Sequence, residues 1–214
     1  MQIMIHACPQ RMWYVRDFLL PSLKAQGAEA VTVWNDTAGR GNLASCLESF
    51  AGLSGDGGTW HLQDDVLICR DFVRRCLDLN GLVYGFCSRQ NGDDEYQTGE
   101  VYMPDAWHGF PCVRIPNAWA REFAEWFDDA KDRPDMVGFF RLNKGDDWFF
   151  TQFLDERHGM DIAYNAKPCL VEHVDFLLGG SILNEWRGYW LRAEWFEDGD
   201  LVDELAKRVK EMNK

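Results

Sequence analysis

Two adjacent carboxylates, Asp64 and Asp65, follow a short strand-forming run and are the residues best suited to chemistry in this chain. Neighbouring carboxylates at the end of a strand repel each other and lose hydration, so the pair requires a balancing interaction. A divalent cation would supply it, because hard oxygen ligands select Mg²⁺ or Mn²⁺. A solvated acidic turn is the alternative, since aspartates are common in turns. The pair alone leaves both interpretations open.

A second acidic pair, Asp146 and Asp147, precedes an apolar segment that we predict to be helical over residues 148–157. One of these aspartates could act as a general base, provided that it lies within hydrogen-bond reach of a bound hydroxyl group. Helix capping and the helix dipole favour aspartates at the same place. The two roles are compatible, with one aspartate capping the helix and the other facing a site.

Among the histidines, His173 stands out because its surroundings alternate with the period of a strand. A single histidine in a strand is more often structural than a metal ligand. The other histidines have no motif around them. Alternation puts His61 on the same strand face as Gln63 rather than Asp64, so we interpret His61 as structural.

The elements that must position these residues follow an α/β order. We predict strands at residues 3–6, 31–34, 59–62, 66–68 and 82–87, and helices at 13–26, from 43, 71–79, 118–127, 148–157 and 201–212, with Asn117 as the N-cap of the helix that ends at 127. This order favours a single-domain α/β fold with a mainly parallel mixed sheet flanked by helices. Ligands of such sheets bind beyond the carboxyl ends of the strands, where both Asn35-Asp36 and Asp64-Asp65 are expected.

Charge and length exclude several classes of function. The chain has 214 residues, with 22 basic and 35 acidic side chains and a formal net charge of −13. Nucleic acid and anionic membranes repel such a chain at long range, although a local basic groove is still compatible with it. No apolar run approaches the length of a membrane span, and the first residues lack the pattern of a secretory signal.

The seven cysteines are scattered, odd in number and free of any CxxC motif. This pattern favours reduced thiols and a cytoplasmic protein over a disulfide framework or a zinc ribbon.

Four segments together resemble the nucleotide-sugar glycosyltransferases of the GT-A fold. Residues 60–66 are similar to the family's short acidic DXD-type segment, and 33–36 to its second strand, which ends on the nucleoside. Residues 145–148 are similar to its acidic segment near the acceptor, and 168–173 to its late strand ending in a metal-binding histidine. The resemblance spans residues 3–184. It departs from the family at Gln63, where many members carry an acid.

The resemblance implies a role for each candidate residue. It implies Mn²⁺ or Mg²⁺ on Asp65 and His173, and Asp147 or its neighbour Asp146 as the base on the acceptor. It implies a nucleoside-diphosphate sugar as donor, with a UDP-sugar favoured, and the following donor-binding residues: Asn35, Asp36, Gln63 and Asp64. Arg40, in the glycine turn after the second strand, could contact a phosphate of the donor or only water. It also implies a catalytic domain over residues 1–184, with a nucleotide-sugar half to about residue 90 and an acceptor half from about 91. Residues 185–214 would form an extension packed on this domain.

Aromatic residues are the candidates for binding an acceptor, namely Trp107, Trp186 and Trp190, with Arg187 between the last two. The spacing of the run from 186 is also that of an ordinary helix core. Arginines interleaved with aromatic rings can hold a flipped base, which keeps open a hydroxymethylated base in DNA as acceptor, as in phage DNA-modifying glycosyltransferases. We favour a saccharide or another small acceptor because of the acidic net charge.

Two other classes of function remain open. Asp64, Asp65 and Asp146 could serve a two-metal phosphohydrolase or nuclease. Alternatively, the chain could bind nucleotide sugars without catalysis. The oligomeric state has no signal in the sequence.

Overall fold

The protein, described by a computed structural model over residues 1–86, 110–141, 145–159, 163–180, 192–193 and 195–212, consists of two β-sheets and the helices that cover them. The strands are β1 (Gln2–Ala7), β2 (Ala30–Asn35), β3 (Gly58–Gln63), β4 (Val66–Ile68), β5 (Leu82–Tyr84), β6 (Cys112–Pro116), β7 (Ala163–Asn165) and β8 (Val171–His173). The α-helices are α1 (Met12–Tyr14), α2 (Leu20–Ala25), α3 (Asn42–Ala51), α4 (Phe72–Leu77), α5 (Asn117–Ala130), α6 (Pro134–Arg141), α7 (Asp146–Arg157) and α8 (Gly199–Met212).

A six-stranded sheet in the order β2-β1-β3-β6-β5-β7 forms the centre of the fold. β2, β1 and β3 pair in parallel, as do β5 and β7, whereas β6 runs antiparallel to both of its neighbours. The sheet is therefore mixed and mainly parallel, with helices on its faces, which confirms the predicted fold class. The sequence patterns did not predict β6, because this five-residue strand contains Arg114 and ends directly at a helix.

The register of the three parallel strands brings their carboxyl ends to one edge. Ala7 and Asn35, the last residues of β1 and β2, are register partners. β3 pairs with the other side of β1 in the same direction. The residues that follow the three strands, Cys8, Asp36 and Asp64, consequently lie at the same edge of the sheet.

Strand alternation divides the hydrophobic core into two halves, one on each face of the sheet. Ile3 and Ile5 of β1 belong to the half that α2, α4 and α8 cover. Val113 and Ile115 of β6 belong to the half that α3, α5 and α7 cover, which is rich in phenylalanine. Full burial of one such side chain contributes about 2 kcal/mol to stability, so the two halves fix the helices on the sheet and thereby the site residues that the helices carry.

A second, two-stranded sheet joins distant parts of the chain. β4 pairs antiparallel with β8, and Val66 lies opposite His173. The carboxyl-terminal helix α8 packs on the core nearby, because Leu205 and Val209 are buried in it. Arg70 holds the start of α8 through ion pairs to two aspartates, Asp198 and Asp200.

Two helix starts differ from the sequence predictions. The predicted helix over 13–26 begins with a 3-10 turn at Pro9–Arg11 and contains a π-helical segment, Val15–Leu19. This wider segment lies directly before Pro21, which has no N–H to donate to the preceding turn. Asn117 is the first residue of α5 rather than its cap. Its amide accepts a hydrogen bond from the Thr59 hydroxyl (2.8 Å) and therefore joins α5 to β3.

No helix within the described ranges is long and apolar enough to cross a membrane.

The six cysteines that the structure describes are free thiols, and five of them are buried.

Candidate functional site

The acidic pair at the end of β3 is buried and held by Arg11. Asp64 and Asp65 are each 7% exposed, and Arg11 is 5% exposed. Arg11 Nη1 donates to Asp64 Oδ1 (3.2 Å) and to Asp65 Oδ2, and its Nη2 donates to the Gly180 carbonyl (2.8 Å). The backbone N–H of Cys8, which follows β1, donates to Asp64 Oδ2 (2.7 Å). The pair is therefore part of the packed interior and not a solvated turn.

His173 reaches the acidic pair through the small sheet. Pairing of β4 with β8 brings His173 Nε2 to 3.3 Å from Asp65 Oδ2. On the other side of the ring, His173 Nδ1 lies 3.3 Å from Asp175 Oδ1. The Val174 N–H donates to the Asp65 carbonyl (2.8 Å), which fixes the two segments to each other. The structure thus brings together the two residues for which the resemblance implies metal binding.

The charges in this cluster shift one another's pKa values. Burial opposes ionisation of Asp65, yet His173 and then Arg11 hold its pKa well below the ordinary range. Burial likewise opposes protonation of His173, but Asp65 and Asp175 raise its pKa to about 10. Burial, followed by the charge of Asp65, raises the pKa of Asp64. Without a cation, the cluster therefore contains a protonated imidazole beside an ionised Asp65.

The residues present fit a divalent cation bound by two protein ligands. Asp65 Oδ1 is buried and has no hydrogen-bond partner among the described residues, so it has a lone pair to offer. Two ligand atoms on adjacent corners of an octahedron of Mg²⁺ size lie about 3 Å apart, close to the separation of Asp65 Oδ2 and His173 Nε2. Within the described ranges, no group of three or more His, Cys, Asp or Glu residues could hold a metal ion. Ligands from a bound substrate would have to complete the coordination.

Asp36, predicted to bind the donor, organises the turn that leads from β2 to α3. Its two carboxylate oxygens accept from the N–H groups of Arg40 (3.1 Å) and Gly41 (2.9 Å). These bonds lower the pKa of Asp36 against the opposing effect of its burial. Gly41 has φ of 91°, a conformation that favours glycine. Arg40 forms ion pairs with Asp36 (3.8 Å) and Glu48.

The other predicted donor-binding residues lie at the same edge. Asn35 Oδ1 is buried and has no hydrogen-bond partner in the described part of the chain. Gln63 ends β3 beside His6 of β1, and its N–H donates to the Pro111 carbonyl (3.0 Å). Asn35 consequently offers an unused acceptor close to the turn that Asp36 shapes.

Asp146 and Asp147 begin α7, and the structure distinguishes them. Gly145, not either aspartate, is the N-cap residue, and its cap lacks a side-chain hydrogen bond. Asp147 is half-buried, and its Oδ1 accepts from the N–H of Trp148 (2.7 Å). Asp146 is 5% exposed and accepts from Asn42 Nδ2 (2.7 Å) at the start of α3.

The environment of Asp146 suits a general base. Burial, and then the charge of Asp147, raise its pKa to about 7, although the Cys46 thiol also hydrogen-bonds to it. Its bond to Asn42 connects it to the turn that Asp36 organises, because Asn42 directly follows Gly41. A buried carboxyl group with a pKa near neutrality can exchange a proton with a bound hydroxyl at neutral pH.

Sequence reasoning missed a buried pair of histidines on the neighbouring strands. His6 Nε2 and His61 Nδ1 lie 3.0 Å apart, and the ring of Phe50 lies 4.4 Å from that of His61. Burial lowers the pKa of His6 to about 4, and burial together with His6 lowers that of His61 well below its ordinary value. His61 contacts His6 and Phe50 in the interior, which agrees with the structural role that the sequence predicts for it. Only the register of β1 and β3 could have identified its partner.

The histidine pair predicts a loss of stability in acid. Both folded-state pKa values lie below the unfolded value, so the unfolded chain binds more protons below about pH 6.5 and stability decreases as pH falls. We expect up to about 1.4 kcal/mol of unfolding free energy lost per pH unit for each histidine that stays neutral. Urea titrations at pH 7.5, 5.5 and 4.5 would measure this. The double variant His6→Leu/His61→Leu should flatten the slope relative to His158→Gln, and an unchanged slope would contradict the assignment.

If the acceptor were DNA, we would expect Arg187 and Arg192 to contact its phosphates, together with Arg70, Arg74 and Arg75. The four of these arginines that the structure describes are paired within the protein. Arg70 binds Asp198 and Asp200, and Arg74 binds Asp71. The remaining two have internal partners as well, since Arg75 donates to the Pro168 carbonyl and Arg192 pairs with Glu172. Contact with phosphates would require these bonds to be exchanged.

The predicted acceptor-binding residues, Trp107, Trp186, Arg187 and Trp190, lie outside the described residues.

Comparison with known proteins establishes the fold but not a family. No family model matches the sequence, and no curated protein matches it. The chain is similar to the solved structure of the glycosyltransferase GlyE of Streptococcus pneumoniae TIGR4, with a TM-score of 0.50 and 8% identity, over 96% of this chain. It spans 60% of the length of that protein. The fold is thus that of the GT-A glycosyltransferases.

Two further solved structures score lower. An active-site mutant of LgtC has a TM-score of 0.45 and 15% identity, over 97% of this chain and 96% of that one. A mutant of the Drosophila β-1,4-galactosyltransferase 7, in complex with manganese, UDP-Gal and xylobiose, has a TM-score of 0.43 and 14% identity, over 94% and 79%. Because scores below 0.5 do not establish a common fold, the assignment rests on GlyE.

Proposed function

We propose that the chain is a metal-dependent glycosyltransferase, which moves a sugar from a nucleoside-diphosphate sugar to a hydroxyl acceptor. The observation that carries this proposal is the convergence of Asp65 and His173, 3.3 Å apart, at the carboxyl edge of a GT-A sheet. Burial of carboxylates also supports the proposal. Four of them are buried and have hydrogen-bond or ion-pair partners inside the protein, namely Asp36, Asp64, Asp65 and Asp146. Carboxylates without a function usually lie on the surface. The chain is acidic and would repel a free diphosphate, so a bound cation would have to supply the local positive charge that this substrate needs.

Asp65 and His173 would hold Mn²⁺ or Mg²⁺, with phosphate oxygens of the donor completing the coordination. When bound, the ion supplies the positive charge that stabilises the leaving diphosphate. Asp175 orients the His173 ring from its other nitrogen, as carboxylates commonly do for metal-binding histidines. Asp64 keeps the end of β3 attached to the segment after β1 through its bond from the Cys8 N–H.

For the acceptor, we propose Asp146 as the base and assign Asp147 the role of raising its pKa. Asp146 is buried and held by Asn42, and its pKa of about 7 permits it to accept a proton from a hydroxyl group at neutral pH. Asp147 curls back onto the N–H of its neighbour Trp148.

For the donor, we propose that the end of β2 contacts the nucleoside. Asn35 Oδ1 offers an acceptor for an N–H or hydroxyl group of the nucleoside. Asp36 contributes indirectly, since both of its oxygens hold the turn before α3. Uridine diphosphate is the first nucleotide to test. A saccharide or other small molecule is the favoured acceptor, because the chain is acidic and the four described arginines of the DNA hypothesis have internal partners.

A donor screen tests this proposal. We expect the protein with Mn²⁺ to release UDP or GDP from a UDP- or GDP-linked sugar, detected by mass spectrometry, and to lose that activity in EDTA. A CMP-linked sugar, which can release only the monophosphate CMP, is the comparison and should not react. Release of neither UDP nor GDP, or hydrolysis of a phosphodiester without any sugar donor, would contradict the proposal.

His173→Ala gives a matched test of the cation site. Because His173 supplies one of two protein ligands, we expect the dissociation constant for Mn²⁺ to rise by about 10-fold or more in isothermal titration. His158→Ala is the control, since His158 pairs with Glu122 on another part of the surface. An unchanged affinity in His173→Ala would leave His173 with a structural role alone.

A further inference from the structure

Arg11 is brought into the acidic cluster by the chain that leaves β1. Pro9–Arg11 forms a 3-10 turn, and the Arg11 N–H donates to the Cys8 carbonyl (3.1 Å). Cys8 in turn donates to Asp64. The turn and the acidic pair therefore hold each other, and the guanidinium lies in the interior with only 5% of the residue exposed.

The guanidinium and the proposed cation compete for the same carboxylate. Asp65 Oδ2 lies 3.3 Å from His173 Nε2, and a cation held by both residues would bind at this carboxylate, through Oδ2 or through the unpartnered Oδ1. Arg11 Nη1 already contacts Oδ2. A guanidinium and a divalent cation on one carboxylate repel each other strongly in a buried environment, because the local dielectric screens them poorly.

The ion pair also lacks the geometry of a purely structural one. A structural Arg–carboxylate pair is commonly bidentate, with two N–H groups on two oxygens of one carboxylate. Here a single nitrogen, Nη1, serves both Asp64 and Asp65. Arg11 Nε and Asp65 Oδ1 are buried, and neither has a hydrogen-bond partner in the described part of the chain. Buried polar atoms are rarely left unsatisfied, so the arrangement has capacity for another partner.

We propose that Arg11 is an internal counter-ion that competes with the divalent cation for Asp65. This inference rests on the proposed metal site. Without the cation, Arg11 and His173 together balance the charge of the acidic pair, and Arg11 stabilises the fold. On binding of the cation at Asp65 and His173, the His173 ring would release its proton to solvent, and Arg11 would leave Asp65 while keeping its bonds to Asp64 and to the Gly180 carbonyl. The exchange lowers the net affinity for the cation, since each binding event must break the Arg11–Asp65 contact.

Titration of Mn²⁺ into Arg11→Gln tests the competition. We expect this variant to bind Mn²⁺ at least about 10-fold more tightly than the wild type in calorimetry. In EDTA we expect Arg11→Gln to have a lower melting temperature than the wild type. On addition of Mn²⁺ its melting temperature should rise by more than that of the wild type. Arg16→Gln is the matched control, because Arg16 is exposed and pairs with its neighbour Asp17, and it should leave both quantities unchanged. Arg11→Lys keeps the charge if Arg11→Gln does not fold. Its shorter side chain offers one terminal nitrogen where Arg11 uses two, so it should hold Asp65 less firmly and bind Mn²⁺ more tightly than the wild type as well.

The outcomes separate this inference from the metal site itself. If the wild type binds Mn²⁺ and the Arg11 variants bind it equally or more weakly, Arg11 organises the site and the competition is wrong. If His173→Ala weakens binding as expected in that experiment, the metal site still stands. If no protein, wild type or variant, binds Mn²⁺ at millimolar concentration, the metal site and the competition are both wrong.

Discussion

Asp146→Asn is expected to lower turnover by about 100-fold or more, while the dissociation constant for the donor nucleotide changes little. A general base contributes roughly two to four orders of magnitude, and an amide cannot accept the proton. The amide oxygen can still accept from Asn42 Nδ2, so the change is nearly isosteric. Steady-state kinetics with the donor found in the screen would measure the loss, and calorimetry with the free nucleoside diphosphate would measure donor binding.

The pH profile identifies which aspartate is the base. In the wild type, kcat/KM should rise through about pH 7 as Asp146 loses its proton. Asp147→Asn removes the second cause of the raised pKa, so this rise should move to lower pH with activity retained. Asp155→Asn, exposed on the same helix, is the control. Loss of activity in Asp147→Asn but not in Asp146→Asn would mean that Asp147, and not Asp146, is the base.

Stability distinguishes catalysis from capping. The folded-state pKa of Asp146 lies above the unfolded value, so its contribution to stability is present below about pH 3.8 and is lost as pH rises through about 7. Asp146→Asn should therefore be at least as stable as the wild type at pH 8. A lower melting temperature without a change in turnover would indicate a purely structural residue.

Asp65→Asn is expected to lower the unfolding free energy of the metal-free protein by about 3–5 kcal/mol at pH 7, the usual effect of breaking a buried ion pair on one side. From the sequence alone we would expect this substitution to leave the fold intact, because a carboxylate in a turn contributes little to a core. The burial of Asp65 between Arg11 and His173 leads us to expect a loss of stability instead. Urea denaturation in EDTA measures the effect, and Asp17→Asn, which removes an exposed pair, should cost less than about 1 kcal/mol.

The difference in unfolding free energy between the wild type and Asp65→Asn should depend on pH in a predictable direction. His173 has a raised pKa, so its contribution is complete below about pH 6.5 and is lost as pH rises through about 10. Asp65 has a lowered pKa, so its contribution is present above about pH 3.8 and is lost as pH falls. The wild type and Asp65→Asn should differ most between about pH 4 and 6.5 and converge toward pH 10. A difference that stays constant from pH 5 to pH 10 would contradict the ion pair with His173.

Local patterns were sufficient for many of the elements, with β6 and α6 as exceptions, and for the main acidic residues. β-branched residues and alternation identified the strands around Val33, Leu62 and Val66, and the carboxylates at their ends lie at one edge, as the rule for parallel sheets predicts. His173 was identified by the resemblance and lies beside Asp65. The fold class follows from the order of these elements alone.

The partners of those residues could not be predicted, because they come from distant parts of the chain. Arg11 lies in a short helical turn with no motif, 53 positions before Asp64. Asn42 reaches Asp146 across 104 positions through the packing of α3 against α7. Such contacts depend on register and helix packing, which hydrophobic periodicity does not encode. The sequence therefore identified acids that need partners but not the arginine and the amide that serve them.

The antiparallel strand β6 has a consequence for the order in which the chain folds. β6 lies between β3 and β5 in the central sheet. The strands β2, β1 and β3 therefore cannot join β5 and β7 into one sheet until residues 112–116 have been synthesised. β1, β2 and β3 can pair earlier, with sequence separations that are short for a parallel sheet. Until β6 arrives, β3 exposes an unpaired edge next to the buried Trp60 and Leu62. On the ribosome, an unprotected strand edge of this kind is a site for aggregation, and assembly of the acidic cluster with β8 must wait longer still.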